Sequence, residues 1–408
     1  MGVSWTQKLV RPMTRRKGQS DRHHFGTGRV VLIDVTRLLR RRYQDRPYTG
    51  VDRVSMSYVR HCQGRALAMA VIWNRWLIFN REDSALLCGW VMRDRQDGTG
   101  RVLGRMIWNL LSNWRSPPEG CVLLHTGHSG VEAPSYAAHV RHYKIRLICF
   151  LHDLIPVTLP EFARPGHALL HQRRIRAMLS ISEALICNST ETQKEIHAFA
   201  RDVGIPVPNT VVAHLATIPK VARPLPVSQS REPYFVMLGT IEPRKNHLLI
   251  LHVWRHLVSH GYESVPHLVI IGRRGWECEQ VVDLLDRSLL LRNYVVEIGK
   301  ADDNAVASWL TNARALLFPS FHEGFGLPLV EALGMNVPVI ASDLPVFREI
   351  AGNVPELISP IDGHGWKEAI LSYAQANSPR RDAQLTRLAS WVAPTWEEHF
   401  QKLDGLCS

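Results

Sequence analysis

Two glutamates stand eight residues apart around a glycine-rich turn, in Glu323-Gly-Phe-Gly-Leu-Pro-Leu-Val-Glu331. A carboxylate accepts two hydroxyl hydrogen bonds, so each could grip a sugar. Between them, Gly324 and Gly326 let the backbone turn sharply and come close to a ligand. The free N–H groups from Gly324 through Phe325 and Gly326 to Leu327 would open a helix whose dipole favours a phosphate. Such a pair beside a phosphate suggests sugars at either end of a diphosphate. On a helix, eight residues is a little over two turns, so both carboxylates could face one side. A solvated Glu323 and a capping or surface Glu331 would fit the same spacing.

Other stretches could add to that chemistry. Arg244-Lys245 and Arg273-Arg274 lie in loops and could neutralise a diphosphate, although an isolated Arg-Lys pair is usually solvated. His152-Asp153 follows an apolar run; a neutral imidazole could meet a sugar hydroxyl or developing charge, with the carboxylate orienting it. The same pair could simply satisfy loop backbone. His125 and His128, three apart, lack an evident third metal ligand. Gly127-His-Ser-Gly130 lacks the spacing of a nucleophile elbow, so it reads as a loop lining a cleft.

The elements that must position these residues alternate. Ala315 to Phe318 reads as a buried strand stopped by Pro319, Leu327 to Leu333 as a helix, and Val337 to Ala341 as the next strand. Upstream, strands at Arg29–Val35, Leu67–Trp73, Trp76–Asn80, Cys121–His125, Ile145–Leu151 and Ala184–Asn188 form a first series. A long basic loop after the first strand leads to Gly50, which could supply an unusual backbone conformation before a helix over 52–63. An amphipathic helix falls within 92–120. Residues 205–233 are rich in proline and read as an extended linker. A second series begins with strands at Tyr234–Gly239, His267–Ile271 and Tyr294–Ile298. Short loops between alternating strands and helices predict an α/β chain with doubly wound parallel sheets.

Length and composition bound the rest. At 408 residues the chain holds two or three domains. No apolar run approaches the roughly 18 residues that cross a membrane, and no apolar signal segment opens the chain. Seven scattered cysteines, an odd number without a Cys-x-x-Cys pair, read as reduced thiols in a cytoplasmic protein. The net charge is +12, concentrated in a basic N-terminal arm. That arm could attract anionic lipid, nucleic acid or a phosphorylated acceptor, or be a solvated leader. With no zinc-finger or RNA-binding signature, nucleic acid is the weaker reading.

The 323–331 stretch resembles the glutamate, seven residues, glutamate motif of retaining glycosyltransferases of family 4, and Tyr234 to Asp362 is similar to that family's C-terminal domain throughout. The resemblance implies a GT-B fold: two Rossmann-like, doubly wound parallel-sheet domains facing a cleft. It divides the chain into a leader (1–27), an acceptor domain (28–220), a nucleotide-sugar domain (221–385) and a terminal helix (386–408) crossing back onto the first domain. Lys245 matches the family's phosphate-contacting lysine. The family places an arginine shortly before it, near Thr240 here, so Arg244 or an arginine of the 273–274 pair would substitute. Glu331 would bind the nucleotide ribose and Glu323 the transferred sugar, with His152 near that sugar. Gly50 and Arg53 would face the acceptor and the donor phosphates.

The resemblance further implies retention of anomeric configuration without a dedicated nucleophile and without a metal, since no Asp-x-Asp stands beside a strand. It points to transfer of a hexose, mannose from GDP-mannose, to a glycan or polyprenyl-linked saccharide. Bacterial surface polysaccharide synthesis (O-antigen, lipopolysaccharide or exopolysaccharide) at the inner membrane face is the expected setting. Two alternatives stand beside it: a sugar-nucleotide epimerase of similar fold, which would convert donor without acceptor, and a non-catalytic binder of anionic lipid or nucleic acid, which Glu323→Ala would not affect.

Overall fold

Short apolar runs bounded by polar turns become the strands of two separate sheets. The structure is a computed structural model, and it describes residues 29–46, 48–92, 99–112, 116–216, 232–262 and 264–408. The 1–27 leader and most of the proline-rich linker lie outside the described residues.

The first sheet has seven strands: β1 (Val31–Asp34), β2 (Leu67–Ile72), β3 (Arg75–Ile78), β4 (Val122–His125), β5 (Arg146–Leu151), β6 (Ala184–Cys187) and β7 (Asn209–Val212). Their order is β3-β2-β1-β4-β5-β6-β7, parallel except for the antiparallel β2–β3 hairpin. Trp73 and Asn74 turn that hairpin with positive φ angles of 48° and 63°, the geometry of a tight two-residue loop. The second sheet has six strands: β8 (Tyr234–Leu238), β9 (His267–Ile271), β10 (Val295–Ile298), β11 (Ala315–Phe318), β12 (Val339–Ser342) and β13 (Glu356–Ile358). All are parallel, in the order β10-β9-β8-β11-β12-β13. Both are doubly wound sheets buried on two faces by helices, which is why their strands read as continuous apolar runs.

Strand order reverses between β1 and β4 in one sheet and between β8 and β11 in the other. Open α/β sheets bind ligands outside the carboxyl ends of the strands at such a reversal. The loops there carry Lys245 (after β8), Glu323 (after β11) and Thr126 to Gly130 (after β4).

Several expectations need correction. The basic stretch after β1 is a helix, Thr36–Tyr43, not a loop. Leucine and arginine are both strong helix formers, and Leu38 and Leu39 are buried while Arg40 faces solvent. Gly50 has no unusual φ; it is the first residue of the helix Gly50–Cys62, capped by Thr49 and Asp52 in a capping box. The strand β12 starts at Val339, because Pro338 lacks an N–H for the ladder. The helices Arg81–Met92 and Pro345–Ala351 and the strand β13 were not anticipated.

The last helix, Trp396–Cys407, packs on the first domain. His399 Nε2 lies 2.8 Å from the buried Tyr58 hydroxyl, and Asp404 meets His61 and Arg65 at 2.9 and 3.1 Å. Phe400 stacks on His61 with ring centroids 3.9 Å apart. Removing a buried Phe side chain costs about 3 kcal/mol or more. Phe400→Ala is therefore expected to lower the free energy of unfolding by about 3 kcal/mol, read as a lower urea midpoint at unchanged m. An unchanged midpoint would mean that this helix does not stabilise the domain it touches.

Candidate active site

Two positions of the turn after β11, Gly324 and Gly326, have no room for a side chain. A methyl at Gly324 would lie 2.2 Å from the His152 carbonyl oxygen, which belongs to the opposite domain. Gly326 has φ 101°, and a methyl there would meet Phe347 at 2.7 Å. Phe325 between them is buried and anchors the turn in the core. The N–H groups of Gly324, Phe325, Gly326 and Leu327 meet no acceptor among the described residues. They precede or open the helix Leu327–Gly334, so four donors lie at its positive dipole end, next to the His152 carbonyl of the opposite domain.

The N-terminal domain holds this turn from the other side. Ser189 Oγ and Thr192 Oγ1 donate to the Gly324 carbonyl at 2.8 and 3.2 Å. Glu349 accepts from the N–H groups of Thr190 and Glu191 and from His214 Nε2, at 2.7, 3.3 and 2.7 Å. His322 and Glu195 form a further cross-domain contact of 2.8 Å. Sequence reasoning missed all of these links. The one legible signal was Ser189-Thr190 as a helix start, and what it would meet across the cleft was not.

Glu323 is buried, and its Oε1 lies 2.6 Å from both Lys245 Nζ and Arg244 Nη1. Burial alone would raise its pKa, but Arg244 and Lys245 outweigh burial and hold it at about 2. Lys245 is pulled below its ordinary value by burial, with Glu323 opposing, and its ammonium lies 4.7 Å from the Phe318 ring centroid. Arg244, expected at a diphosphate, is committed elsewhere. It contacts Glu323, Glu242 at 2.7 Å and the His322 carbonyl at 2.6 Å. It positions Glu323 and leaves Lys245 as the cation next to the turn. Because the folded pKa of Glu323 is depressed, its contribution to stability is present above about 4.5 and lost as pH falls through about 2.

Glu331 behaves in the opposite way. It does not share a face with Glu323, since Glu323 lies before the helix and Glu331 within it. Burial, helped by Asp303, pushes its carboxyl up to about 7, against the pull of Arg53. Arg53, from the first turn of Gly50–Cys62, crosses the cleft to Glu331 at 3.1 Å and also pairs with Asp303. Gly50 brings that helix close: a methyl there would sit 3.4 Å from Leu327 Cδ1.

His152 is buried beside the turn, and its Nε2 donates to the Thr126 carbonyl at 2.8 Å. Contrary to the expectation from sequence, Asp153 does not hydrogen-bond the ring; it accepts from the Ile155 N–H at 3.2 Å. A short carboxylate two residues before an N–H closes its own local turn more readily than it reaches back. Burial lowers the His152 pKa to about 4, so the ring is neutral and Nδ1 carries the lone pair. His128 Nε2 accepts from the His152 N–H at 3.0 Å, and His125 contacts Asp34 at 3.0 Å. Among the described residues no group of metal-ligating side chains stands together.

The 273–274 pair divides. Arg274 faces Asp286 and Glu297 at 2.5 and 2.7 Å and is withdrawn from the site. Arg273 is exposed, and its charge reaches Arg41 of the opposite domain.

Comparison with known proteins finds likenesses in fold and in sequence. The chain is 13% identical to HepE of Anabaena, solved with UDP and glucose, at a TM-score of 0.63, covering 93% of this chain and 99% of that one. Its two facing parallel-sheet domains therefore have the GT-B fold. It is 28% identical to the O-antigen chain mannosyltransferase B of Escherichia coli over 64% of this chain and 69% of that protein. It is 32% identical to the serotype-specific mannosyltransferase WbdA of Escherichia coli over 50% of this chain, and spans only 27% of WbdA's length. Residues 222–382 match the family model described as glycosyl transferases group 1, so the likeness rests on the domain that holds Lys245, Glu323 and Glu331.

Proposed function

We propose that this protein is a retaining glycosyltransferase of family 4 that moves mannose from a nucleotide-diphosphate sugar, GDP-mannose, to a growing glycan or lipid-linked saccharide in O-antigen assembly. One observation carries the reading. The ionised Glu323–Lys245 pair adjoins a turn whose four N–H groups meet no acceptor among the described residues, and Glu331 lies in the helix which that turn opens. The names of the relatives support mannose and O-antigen. The acceptor is membrane-anchored, and the protein works at the inner face, although no helix among the described residues is long and apolar enough to cross a membrane.

In this reading the diphosphate lies on the amides of Gly324, Phe325, Gly326 and Leu327, with Lys245 against the leaving oxygen. Glu331 takes the ribose hydroxyls that Arg53 now precludes, so Arg53 moves off when donor enters. Glu323 accepts hydroxyls of the transferred sugar, and Arg244 keeps it ionised and in place. The neutral His152 offers its Nδ1 lone pair to a sugar hydroxyl on the same side. The acceptor attacks the face that the diphosphate leaves, which retains configuration without a protein nucleophile. Leaving-group charge is carried by Lys245 and the amides, and turnover survives EDTA.

Charge on the leaving group grows in the transition state, so Lys245 contributes more there than in the ground state. Lys245→Met is expected to lower kcat by about a hundredfold or more while donor affinity changes far less. Glu323→Gln should reduce kcat similarly. The measurement is transfer of labelled mannose to a saccharide acceptor, with nucleotide-sugar hydrolysis as a second readout. Full turnover in both variants would sink the transferase reading.

Ribose hydroxyls donate best to an ionised carboxylate. Glu331 has a raised pKa, so it is protonated below about 7 and ionised above it. Nucleotide affinity should therefore rise with pH through about 7, by up to roughly tenfold per unit below that point. Titration calorimetry from pH 5.5 to 8.5 on the wild type and on Glu331→Gln checks it. The Gln variant should lose this part of the dependence; parallel curves would remove Glu331 from the ribose.

A further inference from the structure

Arg37 and Arg41 stand one turn apart on the helix Thr36–Tyr43 and share a single carboxylate, that of the fully buried Asp52. Arg37 Nε meets Oδ1 at 2.6 Å and Arg41 Nε meets Oδ2 at 2.7 Å. The same Oδ2 also accepts the Thr49 N–H and hydroxyl, at 2.8 and 2.6 Å. Asp52 is thus saturated, and one of the two positive charges stays uncompensated. Attachment through Nε turns the outer Nη edges away from Asp52. Among the described residues, their sole acceptor is Thr49 Oγ1, 3.4 Å from Arg37 Nη2. By contrast, Arg42 is used structurally, over the Trp90 ring.

The location gives this pair a purpose. Arg37 lies against Gly127, where a methyl would be 3.3 Å from Arg37 Cδ. Gly127 follows Thr126, whose carbonyl holds His152. Arg37 therefore lies on the acceptor side of the cleft next to the reacting centre, on the domain opposite the Lys245 turn. Burial first, then the charges of Arg37 and Arg273, lower the Arg41 guanidinium from its ordinary value while Asp52 opposes them. Arg273 thus adds a third charge from across the cleft. Paired guanidinium edges with net positive charge suit an oxyanion better than a neutral sugar.

We propose that Arg37 and Arg41 form an oxyanion subsite for a phosphate or diphosphate carried by the acceptor, separate from the donor grip at Lys245. The proposal rests on the transferase reading and adds to it the acceptor's class. A phosphate so near the reacting centre belongs to a short lipid-linked saccharide, not to the far end of a long chain.

The test is titration calorimetry with inorganic pyrophosphate at fixed ionic strength, alone and with GDP or UDP saturating the donor grip. Pyrophosphate is expected to bind the nucleotide-saturated protein, and R37Q/R41Q to weaken that binding by about tenfold or more with nucleotide affinity unchanged. Nucleotide that abolishes pyrophosphate binding would assign the oxyanion to the donor and overturn the proposal, as would equal binding by R37Q/R41Q. If neither nucleotide binds, the transferase reading fails separately, and the wild-type comparison with R37Q/R41Q still decides this site. Should that variant not fold with Asp52 uncompensated, R37K/R41K keeps both charges without the forked edges. It is expected to bind pyrophosphate several-fold more weakly, and unchanged binding would again overturn the proposal.

Discussion

A carboxylate that stays ionised while buried is the constraint on which the site depends. Taking Glu323 out of water costs several kcal/mol, and a single cation seldom offsets that cost. Here two cations converge on one oxygen at 2.6 Å. Arg244 is in turn fixed by Glu242 and the His322 carbonyl, so the arrangement has little freedom. The result is a fixed negative group beside a partly uncommitted lysine, next to a turn whose four backbone N–H groups meet no acceptor among the described residues. A polar ligand entering there meets donors and acceptors already in position, with little reorganisation left to make.

The geometry of that turn depends on both domains. Gly324 presents its carbonyl to Ser189 and Thr192, and its missing side chain lets the His152 carbonyl approach. Glu349 satisfies the Thr190 and Glu191 N–H groups at the start of the helix Thr190–Val203, and Ser189 Oγ takes that of Thr192. Separation of the domains would break these links together and release the turn. The placement of the loop therefore depends on the contact between the domains. The Arg53 contacts with Glu331 and Asp303 also join the two domains.

Much of this was legible in the sequence because the relevant signals are local. Four-residue apolar runs such as Ala315–Phe318, ended by proline and followed by glycines, can hardly be anything but a buried strand and a turn. The pairing of Lys245 with Glu323 spans 78 positions, yet both follow central strands of one sheet, so the alternation of elements brings them together. What was not legible depends on partners distant in the chain. Arg244 and Arg274 look equivalent to Lys245 and Arg273 in sequence, and only the carboxylates around them separate their roles. The basic stretch Thr36–Tyr43 reads as a loop in sequence, and buried Leu38 and Leu39 with the Asp52 anchor make it a helix. Asp153 was given to His152 by adjacency, and a backbone carbonyl 26 positions away took that place.

The central claim is that a nucleotide diphosphate lies on the amides that open the Leu327–Gly334 helix, with Lys245 against it. A crystal structure of the protein with GDP bound measures this most directly. The account predicts phosphate oxygens within hydrogen-bond distance of the Gly324 to Leu327 amides and of Lys245 Nζ, with Glu331 turned from Arg53 to the ribose. Phosphates seated away from that turn, with the Arg53–Glu331 pair intact, would contradict it.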